Sequence, residues 1–237
     1  MSEISNRYRQ SALVMEAVFG GFCLVMAVYN FFYSTPYYVF LSLLGLALDF
    51  LPAIIEKVLA IKTDYLLRMA ANLYIFMTFG IGMIFNGYDR IPYYDKVMHT
   101  ITGVAFGLCG VIAFYVLKPR EKGKIQVKQN EFWQAAFFAL GFSTIVSVSW
   151  EIIEFVLNLI LHNDPQKVAE TGVTDTMMDM IVCMIGTLVF WLPMKAYYNN
   201  GRTGLLMGIF ESFRESNQHQ IPERAETVRK RKKNKKK

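Results

Sequence analysis

Two carboxylates, Glu151 and Glu154, stand three residues apart in Ser147-Val-Ser-Trp-Glu-Ile-Ile-Glu154, inside a long apolar run from Phe132 to His162. At that spacing they share one face of a helix, and Ser143 and Ser147 lead up to Glu151 on it in steps of four. Two further polar pairs, Asp95 with His99 and Asp175 with Asp179, are each spaced by four where another apolar run begins. Ionisable side chains at membrane depth are costly and generally face the protein interior or a wet cavity, so they mark a functional site by default.

Five carboxylates kept ionised together in a low-dielectric site would repel one another and lose hydration. A divalent metal, bound protons or basic partners can relieve this. The nearby bases, Lys96 and Arg90, are few. The residue types therefore point first to a metal site of one or two ions, with Asp95, His99, Glu151, Glu154, Asp175 and Asp179 as ligands. Helical bundles build such sites from Glu and His on facing helices. Oxygen-rich ligation with a single His suits Mg, Mn, Fe or Zn better than copper. Such an ion activates water or polarises a phosphoryl or carbonyl group, which makes Glu151, Glu154 and His99 the expected catalytic groups.

Two other readings stay open. A proton- or cation-coupled transporter would use acids at several depths, and Glu16 and Asp49 supply two more within apolar segments. A structural or partner-binding role without catalysis is the third, since Asp95 and Asp175 also suit a first helical turn, where acids are favoured.

The elements that must position these residues are membrane helices. Of the 237 residues, 54% are hydrophobic and 15% aromatic, and mean hydropathy is positive, which excludes an ordinary soluble domain. Six spans are expected: Ala12–Phe32, Tyr37–Leu51 with Pro52 kinking or ending it, Leu66–Phe85, Val97–Leu117, Phe132–Leu161 and Thr176–Tyr197. The fold class is thus an all-α polytopic membrane bundle. It divides into a two-helix segment (1–64), a four-helix core carrying the cluster (65–198) and a basic tail (199–237). Cys23, Cys109 and Cys183 lie inside apolar runs without metal-knuckle spacing and read as buried small hydrophobes.

Lys and Arg concentrate in alternate loops. Arg7 and Arg9, Lys57 and Lys62, the run Lys118 to Lys128, and the tail lie on one side, which places both termini in the cytoplasm. The three polar pairs then converge near the outer ends of spans four, five and six. Gly103 and Gly107 continue the Asp95–His99 face, and Cys183 and Gly186 continue the Asp175–Asp179 face. Small residues there permit close helix approach. Arg68, near the inner end of span three, can extend its guanidinium towards the membrane surface. A substrate reaching the outer side would be a lipid or a lipid-linked head group.

The formal charge of +6 belongs to the tail. Eight of the last ten residues are basic, and without them 17 basic residues face 19 acidic ones. A lysine run after the amphipathic stretch Leu205–Phe213 most simply binds anionic lipid at the cytoplasmic face. A nucleic-acid contact is the weaker alternative, because no recognition fold accompanies the run.

Tyr94-Asp95-Lys96-x-x-His99, Trp150-Glu151-x-x-Glu154 and Asp175-Thr176-x-x-Asp179, in this order, resemble the YjdF-like family of bacterial multi-pass inner-membrane proteins. The resemblance covers about Tyr65 to Tyr197 and leaves out the first two spans and the tail. It implies a bacterial inner-membrane location and a shared acidic cluster, and no substrate. The Asp-Lys-x-x-His start is also loosely similar to the VanZ-like membrane proteins.

Overall fold

The computed structural model describes residues 6–59, 61–118, 125–161 and 166–218. Its main helices are α1 (Arg9–Tyr33), α2 (Pro36–Asp49), α3 (Leu51–Leu59) and α4 (Tyr65–Ile75), which runs on as a wider π-wound segment, Phe76–Ile84. They continue as α5 (Tyr94–Leu117), α6 (Phe132–Leu161), α7 (Thr174–Asn200) and α8 (Gly204–Asn217). No strand occurs among the described residues. Among the described residues five helices are long and apolar enough to cross a membrane, or six if α2 and α3, bent by 46°, are taken as one span. The all-α, multi-span architecture expected from the apolar runs is therefore the one observed.

Local chemistry sets the boundaries. Pro36 opens α2 at a first-turn position, where its missing N–H costs nothing. Pro52 cannot donate into the preceding turn, and the chain bends just before it, at Phe50. The helical path then resumes to Leu59, past the expected end at Leu51, so Lys57 stands on a helix rather than in a loop. Helices α5 and α7 begin two or three residues earlier than hydropathy suggests and take Asp95 and Asp175 into their first turns. An apolar window misses those turns because they are polar.

The chain forms two compact units. The first takes in the described parts of residues 1–86, 119–126 and 208–237. Its core joins Phe19 and Cys23 of α1 to Ile75 of α4 and Phe79 of the π-wound segment. Asp64 caps α4, its Oδ1 accepting from the backbone N–H groups of Leu66 (2.9 Å) and Leu67 (3.1 Å). Burial pushes this carboxyl above its usual range, against the opposing pull of those N–H groups and of the Ser212 hydroxyl. Asn217 of α8 both accepts from the Lys62 N–H and donates to the Lys62 carbonyl, each at 2.8 Å, tying the helix end to the segment before α4. The lysine-rich end of the tail, 219–237, and His162 lie outside the described residues.

Arg68 has a partner in the protein. It forks onto Glu16 of α1, with Nε and Nη2 at 2.7 and 2.9 Å from the two carboxylate oxygens. Glu16→Gln is expected to leave the guanidinium without its counter-ion and to cost about 3 kcal/mol. The double change Glu16→Gln with Arg68→Met should recover most of that loss. Thermal unfolding of the detergent-solubilised variants measures both.

The second unit, residues 87–118 and 127–207, is built on α5, α6 and α7. Helices α5 and α7 run parallel: Thr100 lies against Gly186, Gly103 against Cys183, and Tyr115 against Tyr198. Helix α6 runs opposite to both, with Ser143 against Thr187 and Phe132 against Tyr198. A β-carbon built on Gly103 would stand 1.9 Å from the Cys183 carbonyl oxygen, and one on Gly186 would stand 2.1 Å from that of Thr100. Glycine at both places lets the two backbones touch. At the other end of the unit Tyr115 and Tyr198 share a 2.7 Å hydrogen bond, and Glu131 accepts from Tyr115 and pairs with Lys118.

Candidate functional site

Parallel packing of α5 and α7 sets their N-terminal turns side by side. Asp95, Lys96 and His99 project from α5, and Asp175 and Asp179 from α7. Tyr93, at φ +61, turns the chain into α5, and the spacing of four puts Asp95 and His99 on one face, as it does Asp175 and Asp179. Ligand atoms of Asp95, His99 and Asp179 lie within 4.8 Å of one another. The imidazole Nε2 stands 3.5 Å from Asp95 Oδ1 and 3.8 Å from Asp179 Oδ1.

Lys96 ties the rest together. Its ammonium lies 2.9 Å from Asp95 Oδ2, 2.5 Å from Asp175 Oδ1, and 2.7 and 2.9 Å from the two oxygens of Asp179. The side chains grade from mouth to depth, with exposures of 27% for Lys96, 20% for Asp95, 11% for Asp175, 9% for His99 and 4% for Asp179. The group therefore opens where α5 and α7 begin and closes towards the middle of the unit.

Helix α6 brings its carboxylates alongside. Glu151 is buried and lies within electrostatic reach of His99, as do Asp95 and Asp179. One of its oxygens, Oε2, accepts from Gln166 Nε2 at 3.1 Å, and the same amide reaches the Glu151 carbonyl at 3.0 Å. The other, Oε1, is buried without a hydrogen-bond partner, as is Nδ1 of His99. Buried polar atoms ordinarily find partners, so two such atoms beside one charged group point to a polar occupant. Glu154 accepts from Trp150 Nε1 at 2.8 Å. Trp150 thus holds a carboxylate beside the site.

The floor is shut. Ser143 Oγ and Thr187 Oγ1 bond to each other at 2.7 Å, and Thr187 also reaches the Gly103 carbonyl at 3.0 Å. At the same level the α5–α7 seam closes at Gly103 and Gly186, and beyond it Val111, Phe190 and Met194 are wholly buried. Ser143, Thr187 and the Gly103 carbonyl thus satisfy one another, and apolar side chains lie below them.

Of the six residues singled out by type and spacing, the structure brings Asp95, His99 and Asp179 into one compact ligand group. Asp175 joins through Lys96, while Glu151 and Glu154 flank from α6. Arg90, named with Lys96 as a nearby base, is exposed. Two participants stand out only in the fold. Lys96 is a local charge in the sequence and a three-carboxylate counter-ion in space. Gln166 lies in a polar connection with no periodicity to reveal it.

The family model described as "Predicted membrane protein (DUF2238)" matches residues 15–200. The YjdF-like family, to which the three motifs pointed, is this family. The match starts well before Tyr65, so the first two spans belong to it as well, while the basic tail lies beyond it. Comparison with curated proteins and with solved structures finds no match.

Proposed function

This chain belongs to the DUF2238 family of predicted membrane proteins, and we propose that it is a metal-dependent membrane enzyme acting on a lipid or lipid-linked substrate. In this reading it resides in the bacterial inner membrane with both termini cytoplasmic, as the Lys and Arg distribution favours. The mouth of the site then faces the outer leaflet.

The observation that carries the proposal is the one-sided group formed by Asp95, His99 and Asp179, open at the helix ends and shut beneath by Gly103 and Gly186. A site closed on one side suits chemistry on a substrate that enters and leaves by the same mouth. The donor set of two carboxylates and one imidazole fits Mg, Mn, Fe or Zn. When bound, such an ion supplies Lewis-acid polarisation and an activated water. The chain's own residues do the rest. Asp95 and Asp179 offer oxygens, and His99 offers Nε2. Glu151, with one oxygen steadied by Gln166 and the other without a partner, is placed to take a proton from water at the site. Glu154, held by Trp150, is the second carboxylate able to exchange one.

Purified protein reconstituted into phospholipid vesicles with Mn tests this by release of water-soluble phosphate or head group. Activity is expected in the wild type and at least about a hundredfold less in Glu151→Gln. Equal turnover in both would contradict the role of Glu151. Absence of turnover across phospholipid and lipid-linked substrates would count against the enzyme.

A specific observation favours proton- or cation-coupled transport as the second reading. Lys96 already bonds to three carboxylates and offsets part of their charge, and ionisable groups of the first unit, Glu16, Arg68 and Asp49, interact among themselves. Dye-reported proton movement in the same vesicles, lost on Asp179→Asn, would turn the assignment that way.

A further inference from the structure

Lys96 and a divalent metal compete for the same oxygens. The ammonium contacts both carboxylate oxygens of Asp179, at 2.7 and 2.9 Å, and Asp95 Oδ2 at 2.9 Å, and these two residues belong to the ligand group. Its third partner, Asp175, does not. An ion bound by Asp95, His99 and Asp179 would set a second cation against the Asp179 oxygens that the ammonium already contacts, and their repulsion favours departure of the ammonium. Lys96 is equipped to do so: it is the most exposed member of the group, at the mouth, on a flexible four-carbon stem.

We propose that Lys96 is an exchangeable internal cation, which a divalent metal displaces and which then anchors the anionic group of the substrate. This rests on the metal-dependent reading above and adds a substrate class to it. Without metal, the lysine keeps three buried or half-buried carboxylates from facing one another unpaired. With metal bound, it keeps Asp175 and turns its remaining N–H donors to the mouth. An ammonium and a metal set side by side at an opening favour a group that bridges both, namely a phosphoryl or carboxylate oxygen pair. The partnerless Glu151 Oε1 and His99 Nδ1 behind them show that the site has polar demand beyond what Lys96 meets.

Asp175 separates this account from simple ligation by all the acids. If Asp175 were a ligand, losing its charge would weaken metal binding. If it holds the competitor, losing its charge loosens Lys96 and strengthens metal binding.

The test is Mn titration of the full-length protein in nanodiscs, followed by electron paramagnetic resonance of the free ion. Lys96→Gln is expected to bind Mn roughly tenfold or more tightly than wild type, because a neighbouring positive charge is gone. Asp175→Asn is expected to bind it severalfold more tightly, and it keeps the test decisive should Lys96→Gln fail to fold. With Mn bound, inorganic phosphate should be retained by wild type and not by Lys96→Gln. Equal or weaker Mn binding in both variants, with wild type binding Mn, would overturn the exchange and leave the metal site standing. No Mn binding by wild type or either variant would remove the metal reading and this proposal with it.

Discussion

Gly103→Ala is expected to unseat α5 from α7 and to destabilise the second unit by about 3 kcal/mol or more. The added methyl would stand 1.9 Å from the Cys183 carbonyl oxygen and 2.9 Å from the Thr187 nitrogen. Both are backbone atoms of a packed helix, so no side chain can swing aside to make room, and overpacking of that kind strains the whole seam. Gly141→Ala, in α6 of the same unit, is the control. Nothing lies within 4 Å of a β-carbon there, and alanine is the better helix former by about 1 kcal/mol, so its stability should hold or rise. Thermal unfolding in matched detergent compares the two. Because the same seam is the floor of the site, Gly103→Ala should also weaken Mn binding even where protein survives purification.

Asp179→Asn carries the second large effect. Asp179 is the most buried carboxylate of the group, and both its oxygens face cations or the imidazole. Replacing one oxygen with an amide removes a charge and a ligand while keeping the shape. Mn affinity is expected to fall at least about a hundredfold, a larger loss than outer positions of a metal site cause. Asp175→Asn, four residues earlier on the same face, should move the opposite way. That contrast between neighbouring aspartates on α7 is hard to obtain from a general loss of folding.

Much of this arrangement was legible in the chain, for reasons that differ by residue. Runs such as Val97–Leu117 are membrane helices because backbone hydrogen bonds must close internally in lipid, and a hydropathy window sees them directly. Asp95 and His99, or Asp175 and Asp179, share a face through helical spacing alone. Their convergence followed from the span order, since helices separated by one full crossing return to the same side. The glycines that close the seam were likewise visible as small residues in register with the acids.

Other features depend on distance across helices and left no periodic mark. Lys96 reaches acids 79 and 83 positions away on another helix, and nothing in Asp95-Lys96 states which acids it will meet. Arg68 likewise finds Glu16 across 52 positions. Gln166 sits in a polar connection, where sequence carries no face. The second span outran its expected end because Pro52 bends a helix without stopping it, and the early starts of α5 and α7 lay in polar first turns.

Metal stoichiometry of the purified wild-type protein, by mass spectrometry beside His99→Ala and Asp179→Asn, decides whether Asp95, His99 and Asp179 hold an ion. Near-stoichiometric Mn, Zn, Fe or Mg is expected in wild type after loading and washing, with loss of the ion in both variants while they remain folded. A folded wild-type protein that retains none of these ions, or variants that retain them equally, would contradict it.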